Sequence, residues 1–283
     1  MSRVSLVMAT LGRVQEIEDF VRSLASQTYK DYELIIVDQN PDDRLIPVVN
    51  HARDLGIPLV HLRQSEPNQC LARNAGVAQA QGSIVAFPDD DCWYEADVLE
   101  KVLSRMNEPD APDCAVIRWI EQDPVGGKPH SLSNQLWRRF KEVQASCITL
   151  FFKRDLLLDM QGFDAALGLH SWYGGGEETD LMFRVMANNK HVVYLPDALV
   201  HHPFNRLINR PFLKDFAQSR RRARGTGALY AKHRLDSLVV LRGFLSPLIK
   251  PWFTSKSITR IIQGFYASLG RIEGFLNWRF SEH

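Results

Sequence analysis

Residues 84–94 read Ile-Val-Ala-Phe-Pro-Asp-Asp-Asp-Cys-Trp-Tyr, a short apolar run that stops at three consecutive carboxylates. The first four are too few and too continuously apolar for an amphipathic helix, so they predict a buried strand that Pro88 ends. Asp89, Asp90 and Asp91 then stand at the strand's carboxyl end, where open α/β sheets bind their ligands. Three adjacent like charges repel at short range and call for a cation. Oxygen ligands on a short loop suit Mg2+ or Mn2+, typically shared with substrate phosphates. The same residues also read as a solvated acidic turn, or as the N-cap of a helix over residues 95–106. The surroundings must decide between these readings.

Working outward, residues 4–9 (VSLVMA) form a strand-like run that ends at Thr10, and Ile17, Phe20, Val21 and Leu24 recur at helical spacing behind it. Residues 32–37 (YELIIV) repeat the strand pattern with Asp38 at the carboxyl end. A weaker helix follows over 46–55, then a strand over 58–62 and a helix over 70–80 that Gly82 breaks. Beyond the acidic stretch the pattern predicts strands over 114–120 and 146–152, a Pro- and Gly-rich loop over 122–130, and a helix over 154–160. A helix over 181–187 and a last strand over 191–195 follow. Strands alternating with helices predict the α/β class, with a Rossmann-like, mostly parallel central sheet flanked by helices. Neither GxGxxG nor GxxxxGK[ST] follows the first strand, which removes the dinucleotide fingerprint and the P-loop.

At 283 residues with a formal net charge of +1, the chain reads as one large domain with an appendage, and as a whole it is not a polyanion binder. The four cysteines show no CxxC spacing and make no disulfide framework, so buried structural roles in a reducing cytoplasm are expected. No signal peptide and no spanning apolar run of about 18 residues are read in the sequence. A second dense constellation lies at residues 174–180, GGGEETD. Its glycines permit close backbone approach, and its acids read either as functional carboxylates or as an acidic first helical turn. Arg73 alone reads equally as a solvated helix residue, and Asp38 as a turn cap.

Four stretches, in order, resemble the inverting family-two glycosyltransferases of the GT-A fold. VSLVMATLGR resembles their strand opening, ELIIVDQN their second acid-ended strand, LARNAGVAQAQGSIVAFPDDDCWY their ARNxG helix and DxD motif, and GGGEETDLMFRV their acidic G-E-D-x-D-L-x-x-R element. The resemblance covers about residues 3–202 and implies a catalytic domain over 1–203; residues 204–283 lie outside it and are expected to form a basic, amphipathic helical region. It also implies that Thr10 and Asp38 lie against the nucleoside of a UDP-linked sugar donor, with Arg73 and Asn74 beside its pocket. Asp89 and Asp91 take the outer places of DxD, with Asp90 on the nucleotide-sugar side. Asp91 is the expected ligand to Mn2+ or Mg2+, Asp89 a ribose or metal contact, and His201 a further metal ligand. Where the family has Glu-Asp, this chain has Glu177-Glu178, so the implied general base is Glu178, with Glu177 as the alternative. His202 competes with His201, because neighbours on a regular strand point to opposite faces.

The chemistry of those residue types agrees with inverting transfer, in which one carboxylate takes the acceptor hydroxyl's proton while a divalent ion stabilises the departing diphosphate. The implied acceptor is a cell-surface glycan or its lipid-linked precursor. Two other readings stand beside it. One is a sugar nucleotidyltransferase, disfavoured by the lack of a basic Gly-rich loop after the first strand; the other is a non-enzymatic membrane-surface module.

The C-terminal stretch must be read from physics. Arg206, Arg210, Lys214, Arg220, Arg221, Arg222 and Arg224 crowd one segment, and Ile261, Ile262, Phe265, Leu269, Ile272 and Leu276 share one helical face behind it. Such a helix fits peripheral contact with an anionic membrane, on the inner face of the cytoplasmic membrane, and equally fits packing on the catalytic domain or in a homodimer. Pro247 and Pro251 argue against a buried spanning segment. Without interleaved aromatics the arginines make a poor nucleic-acid site.

Overall fold

The structure is a computed structural model that describes residues 3–143, 145–203, 212–254 and 257–281. It forms two compact units, one of residues up to 162 together with 184 to 203, the other of 163–183 together with the C-terminal helices. Arg206 and Arg210 of the basic segment fall outside the described residues.

The first unit is built on a single sheet. Strands β1 (Val4–Thr10), β2 (Tyr32–Asp38), β3 (Leu59–Arg63) and β4 (Ile84–Ala86) run parallel in the order β3-β2-β1-β4. All seven residues of β2 are buried, as a strand covered on both faces requires. The helices α1 (Gln15–Ala25), α2 (Ile46–Asp54) and α3 (Gln69–Gln79) connect these strands. Ile17, Phe20, Val21 and Leu24 are the buried face of α1, the stripe its spacing predicts. Asn68 caps α3 by accepting from the Leu71 amide at 3.1 Å. Gly76 lets α3 lie hard on β1, since a Cβ there would collide with the Val7 side chain.

The sheet continues through β8 (Leu150–Lys153), antiparallel to both β4 and β6 (Cys114–Trp119), and then β9 (Val192–His201), parallel to β6. Two-residue strands β5 (Trp93–Tyr94) and β7 (His130–Ser131) pair antiparallel with β9. Helices α4 (Val98–Met106), α5 (Asn134–Trp137) and α6 (Arg154–Asp159) complete this unit, with α7 (Glu177–Ala187) entering it at Arg184.

Several boundaries differ from the sequence reading. The stretch 146–152 divides into a 3-10 turn, Cys147–Thr149, and β8, because Thr149 and Ser146 bond reciprocally and close the turn first. The strand expected over 191–195 runs on through Pro196 to His201. A register shift between Ile117 and Arg118 lets residues 196–198 bulge out of the ladder, so the proline removes no pairing bond. The predicted helix over 95–106 begins at Val98, because residues 93–94 are held in β5. The helix expected from Leu181 begins at Glu177, so all three acids lie in its first turn.

In the second unit, α8 (Phe212–Lys232), α9 (Ser237–Thr254) and α10 (Ile258–Phe280) pack with α10 against both others. Backbones approach closely at Gly227, Gly270 and Gly274, where an added Cβ would meet main-chain atoms of the facing helix. Pro247 and Pro251 lie inside α9 rather than breaking it. Pro247 leaves the Gly243 carbonyl without its helical donor, and Arg271 of α10 supplies one through Nη1. No helix among the described residues is long and apolar enough to cross a membrane.

Candidate active site

The acidic loop hangs between two strand anchors at the carboxyl edge of the parallel strands. β4 delivers residues 89–91 there, and β5 pins the far end, with Trp93 paired to His201 and Tyr94 to Val200. That pairing brings the end of β9 to the aspartates. Within the loop, Cys92 donates to the Asp89 carbonyl from its amide at 3.3 Å and its thiol at 3.2 Å.

Each aspartate has a different environment. Asp90 is buried and accepts from Thr10 Oγ1 at 2.7 Å and from the Arg13 guanidinium. Burial pushes its pKa up, against the opposing Thr10 and Arg13 contacts. Asp91 also meets Arg13, at 2.8 Å, and His202 Nε2 at 2.9 Å. Burial would raise its pKa, but His202 and Arg13 outweigh burial and hold the carboxyl below its ordinary range. His202 moves the opposite way: burial disfavours its cation, and Asp91 overrides that and raises its pKa. Asp89 is held by Arg73 Nη2 at 2.8 Å, and the Arg73 side chain is only 3% exposed, which removes the solvated-helix reading. Three carboxylates against two guanidiniums leave one formal negative charge uncompensated while His202 is neutral.

Ligand-type atoms of Asp89, Asp91 and His202 all lie within 4.8 Å of one another. Two carboxylates and an imidazole suit Mn2+ or Mg2+. His202 Nε2 is the ring nitrogen that faces Asp91, while its Nδ1 is buried without a hydrogen-bond partner. The donor set therefore fits a divalent ion. His201 points elsewhere: its Nδ1 lies 3.0 Å from Glu121 and its Nε2 3.0 Å from Glu95, with the ring stacked on Trp93. The strand alternation separates the two histidines, and it is His202 that stands beside Asp91. Its backbone is fixed from both sides, by its amide to Glu121 and by Trp119 Nε1 donating to its carbonyl.

Asp38 lies at the end of β2 in register with Thr10, and it is fully buried. One oxygen accepts from the Asn40 amide and side chain at 2.8 Å each; the other lies 3.0 Å from His61 Nε2 and 3.1 Å from Arg63 Nη1. Asn40 in turn accepts from the Gly12 amide at 2.7 Å, tying the second strand's exit loop to the first. Asn74 lies against Gly162, in the turn that Arg184 holds by donating to the Gly162 carbonyl at 2.7 Å.

The sequence reading missed Arg13, His61 and Arg63. The sequence carries half a signal for the last two: residues 61 and 63 are two apart on β3 and so share one face, and the pairing of Arg63 with Asp38 makes it the face of Asp38. Arg13 three residues past Thr10 gave none that the strand pattern exposes.

In the second unit, Glu177 is buried and Glu178 half-buried in the first turn of α7. Asp180 is fully buried and lies 2.7 Å from Lys232 and 2.8 Å from His233. Lys232 also reaches Asp164 at 2.6 Å. Of the acids in this turn, Asp180 is thus committed to the helices of its own unit.

The family model described as Glycosyl transferase family 2 matches residues 5–158. A curated relative, the glucosyl-dolichyl phosphate glucuronosyltransferase of Haloferax volcanii, is 25% identical over 240 residues, covering 76% of each chain. A PGL/p-HBAD biosynthesis glycosyltransferase of Mycobacterium bovis is 32% identical over 111 residues, 38% of this chain and 43% of that protein. Among solved structures, a mannosyltransferase from Pyrobaculum calidifontis in complex with GDP-Man and Mn2+ superposes with a TM-score of 0.66 at 18% identity, covering 94% of this chain and 74% of that one. Residues 1–349 of Staphylococcus aureus TarS in complex with UDP-GlcNAc give 0.58 at 14% identity, covering 94% and 90%. These two share the GT-A fold of a central, mostly parallel sheet with flanking helices.

Proposed function

Because the chain belongs to glycosyl transferase family 2 and is a glycosyltransferase, we propose that it performs a metal-dependent, inverting transfer. The donor is a nucleoside diphosphate sugar, UDP-linked in the first instance, and the acceptor is a hydroxyl of a cell-surface glycan or its lipid-linked precursor. Family membership displaces the nucleotidyltransferase reading.

The observation that carries the proposal is the convergence of Asp89, Asp91 and His202 at the carboxyl edge of the sheet. These three would hold Mn2+ or Mg2+, which when bound supplies Lewis-acid stabilisation to the departing diphosphate. The Mn2+ named with the Pyrobaculum mannosyltransferase supports that reading. Arg73 orients Asp89, and Arg13 with Thr10 holds Asp90, so the loop is positioned before any ligand arrives. Asp38, fixed by Asn40, His61 and Arg63, offers a rigid polar end of β2 to the nucleoside.

An inverting displacement needs one base for the acceptor hydroxyl. Glu178 fills that role: it is half-buried, whereas Asp180 is consumed by Lys232 and His233. The lipid-linked acceptor draws support from the glucosyl-dolichyl phosphate in the name of the Haloferax relative.

The test is donor turnover against a panel of nucleotide-sugars with Mn2+. Asp91→Ala should abolish turnover with the melting temperature retained, and undiminished transfer by that variant overturns the metal assignment. Glu178→Gln should slow transfer and spare donor binding; if only Glu177→Gln does so, the base is Glu177.

A further inference from the structure

Helix α9 presents Leu238, Leu241, Leu245, Ile249, Trp252 and Phe253 to solvent, spaced so that they fall on one face. Leu238 is 79% exposed, Trp252 60% and Phe253 83%, values that side chains of this size do not hold in a contiguous row without a partner. The opposite face of the same helix, at Val240, Gly243 and Pro251, is buried. Helix α10 repeats the arrangement: Gly264, Ser268, Gly270 and Gly274 are buried, and Ile258, Phe265, Ile272, Leu276 and Phe280 stand exposed on the other side.

Charge decides what covers these stripes. Residues 237–281 carry six Lys or Arg against one acid, Glu273. That acid is already bound by Arg220 and Arg224 of α8. Beside the α9 stripe, Arg242 and Lys250 are exposed, and α9 itself contains no acidic residue. A two-fold contact between copies of α9 would set cation against cation, because an isologous interface repeats the same patch on both sides. An anionic lipid surface complements both features, apolar side chains entering the acyl boundary while Arg and Lys meet the headgroups. Trp252 and Phe253 supply the aromatic anchors that favour this depth. No described helix is long and apolar enough to cross a bilayer, so the contact such a surface could make is with the face of a membrane.

We propose that the outward faces of α9 and α10 form a docking surface for a membrane containing anionic lipid, with Trp252 and Phe253 as its apolar anchors and Arg242 and Lys250 as its headgroup contacts. This goes beyond the transfer chemistry and is measured without it.

The experiment is co-sedimentation of the full chain with vesicles of phosphatidylcholine alone and of phosphatidylcholine with about one third phosphatidylglycerol. The native chain should bind the anionic vesicles and lose that binding in high salt. Arg242→Gln with Lys250→Gln should weaken it about twenty-fivefold, at roughly fivefold per charge. Trp252→Ser and Phe253→Ser should each weaken it about tenfold, as expected for an anchor only partly withdrawn from water. Melting temperature should stay at the native value in all of these, which separates lost docking from lost folding. Failure to bind anionic vesicles overturns the proposal. So does a dimer in sedimentation velocity that Trp252→Ser dissociates, since a second copy would then cover the face. Neither result touches the Asp91 variant's loss of turnover, so failure of the surface and failure of the transfer reading are distinguishable.

Discussion

His202→Ala should weaken Mn2+ binding about a hundredfold, whereas His201→Ala should leave it within about threefold. The difference follows from what each ring touches. His202 Nε2 lies 2.9 Å from Asp91, and its ligand atom falls within 4.8 Å of those of Asp89 and Asp91, making it one of three donors in the set. Removing a group that merely orients a ligand costs about 10–100-fold in metal affinity, so loss of a donor itself belongs at or above the upper end. A hundredfold loss is about 2.8 kcal/mol, at about 1.4 kcal/mol per decade. His201 has both ring nitrogens at 3.0 Å from carboxylates outside the cluster, and its ring stacks on Trp93 at 5.1 Å between centroids. Its loss loosens the β5 anchor and removes no donor. Free Mn2+ measured by electron paramagnetic resonance during titration of the purified protein, without donor sugar, reads affinity apart from turnover, with Asp91→Ala as the reference. A hundredfold loss in His201→Ala with native binding in His202→Ala would refute the assignment. Native binding in both would leave the carboxylates as the whole site and refute the three-donor set.

Three further outcomes follow from the second unit. Asp180→Asn should cost about 2 kcal/mol, roughly 5 °C in melting temperature, because a neutral amide replaces the fully buried carboxylate that Lys232 and His233 both meet, while Lys232 keeps its pair with Asp164; a variant that melts as the native protein would show that the pairing carries no stability. Arg271→Met should cost about 1–3 kcal/mol by stranding the Gly243 carbonyl, and less in a Pro247→Ala background, where the restored amide supplies the helical donor; equal costs in both backgrounds would refute that role. The hydrogen bond from Arg220, with Arg224 adding to it, holds the Glu273 carboxyl below its ordinary range against an upward effect of burial smaller than that of Arg220. A folded pKa below the unfolded one gives stability that is present above the unfolded value and is lost as pH falls through the folded value. Glu273→Gln should therefore melt about 2 °C below the native protein at neutral pH, with the gap closing as the solution is acidified; a gap that widens in acid contradicts the pairing.

Much of the first unit was legible because its signals are local. A parallel strand covered on both faces must be continuously apolar, so YELIIV and VSLVMA announce β2 and β1 without knowledge of their neighbours. Asp38, which ends YELIIV, and Asp89 to Asp91, which follow IVAF and Pro88, then fall at the carboxyl edge by chain geometry alone. The partners of those acids were less visible. Arg13, His61 and Arg63 reach them only through register, with Thr10 opposite Asp38 and Asp38 opposite Arg63, and register is set by pairing that no single window of sequence contains. The two histidines show the same limit. Alternation says that His201 and His202 face opposite ways, but which one faces the metal-type cluster depends on the two-residue strand β5, too short to leave a periodic signal.

The C-terminal helices were harder for a different reason. Two prolines four residues apart forbid a regular helix on local grounds, because each removes a backbone donor from the turn before it. The chain nevertheless continues as α9, because Arg271 of another helix bonds the Gly243 carbonyl and Gly264 allows α10 to approach the Pro247 carbonyl that Pro251 leaves free. The compensation is tertiary, and it places a constraint on α10: the face carrying Gly264, Ser268 and Arg271 must turn toward α9, and Gly270 and Gly274 must turn toward α8. With those positions committed, Ile258, Phe265, Ile272, Leu276 and Phe280 have nowhere to point but outward. The outward apolar row of α10 is therefore the geometric consequence of repairing a proline-containing helix, and the cations near it and α9 are what the proposed docking to an anionic surface rests on.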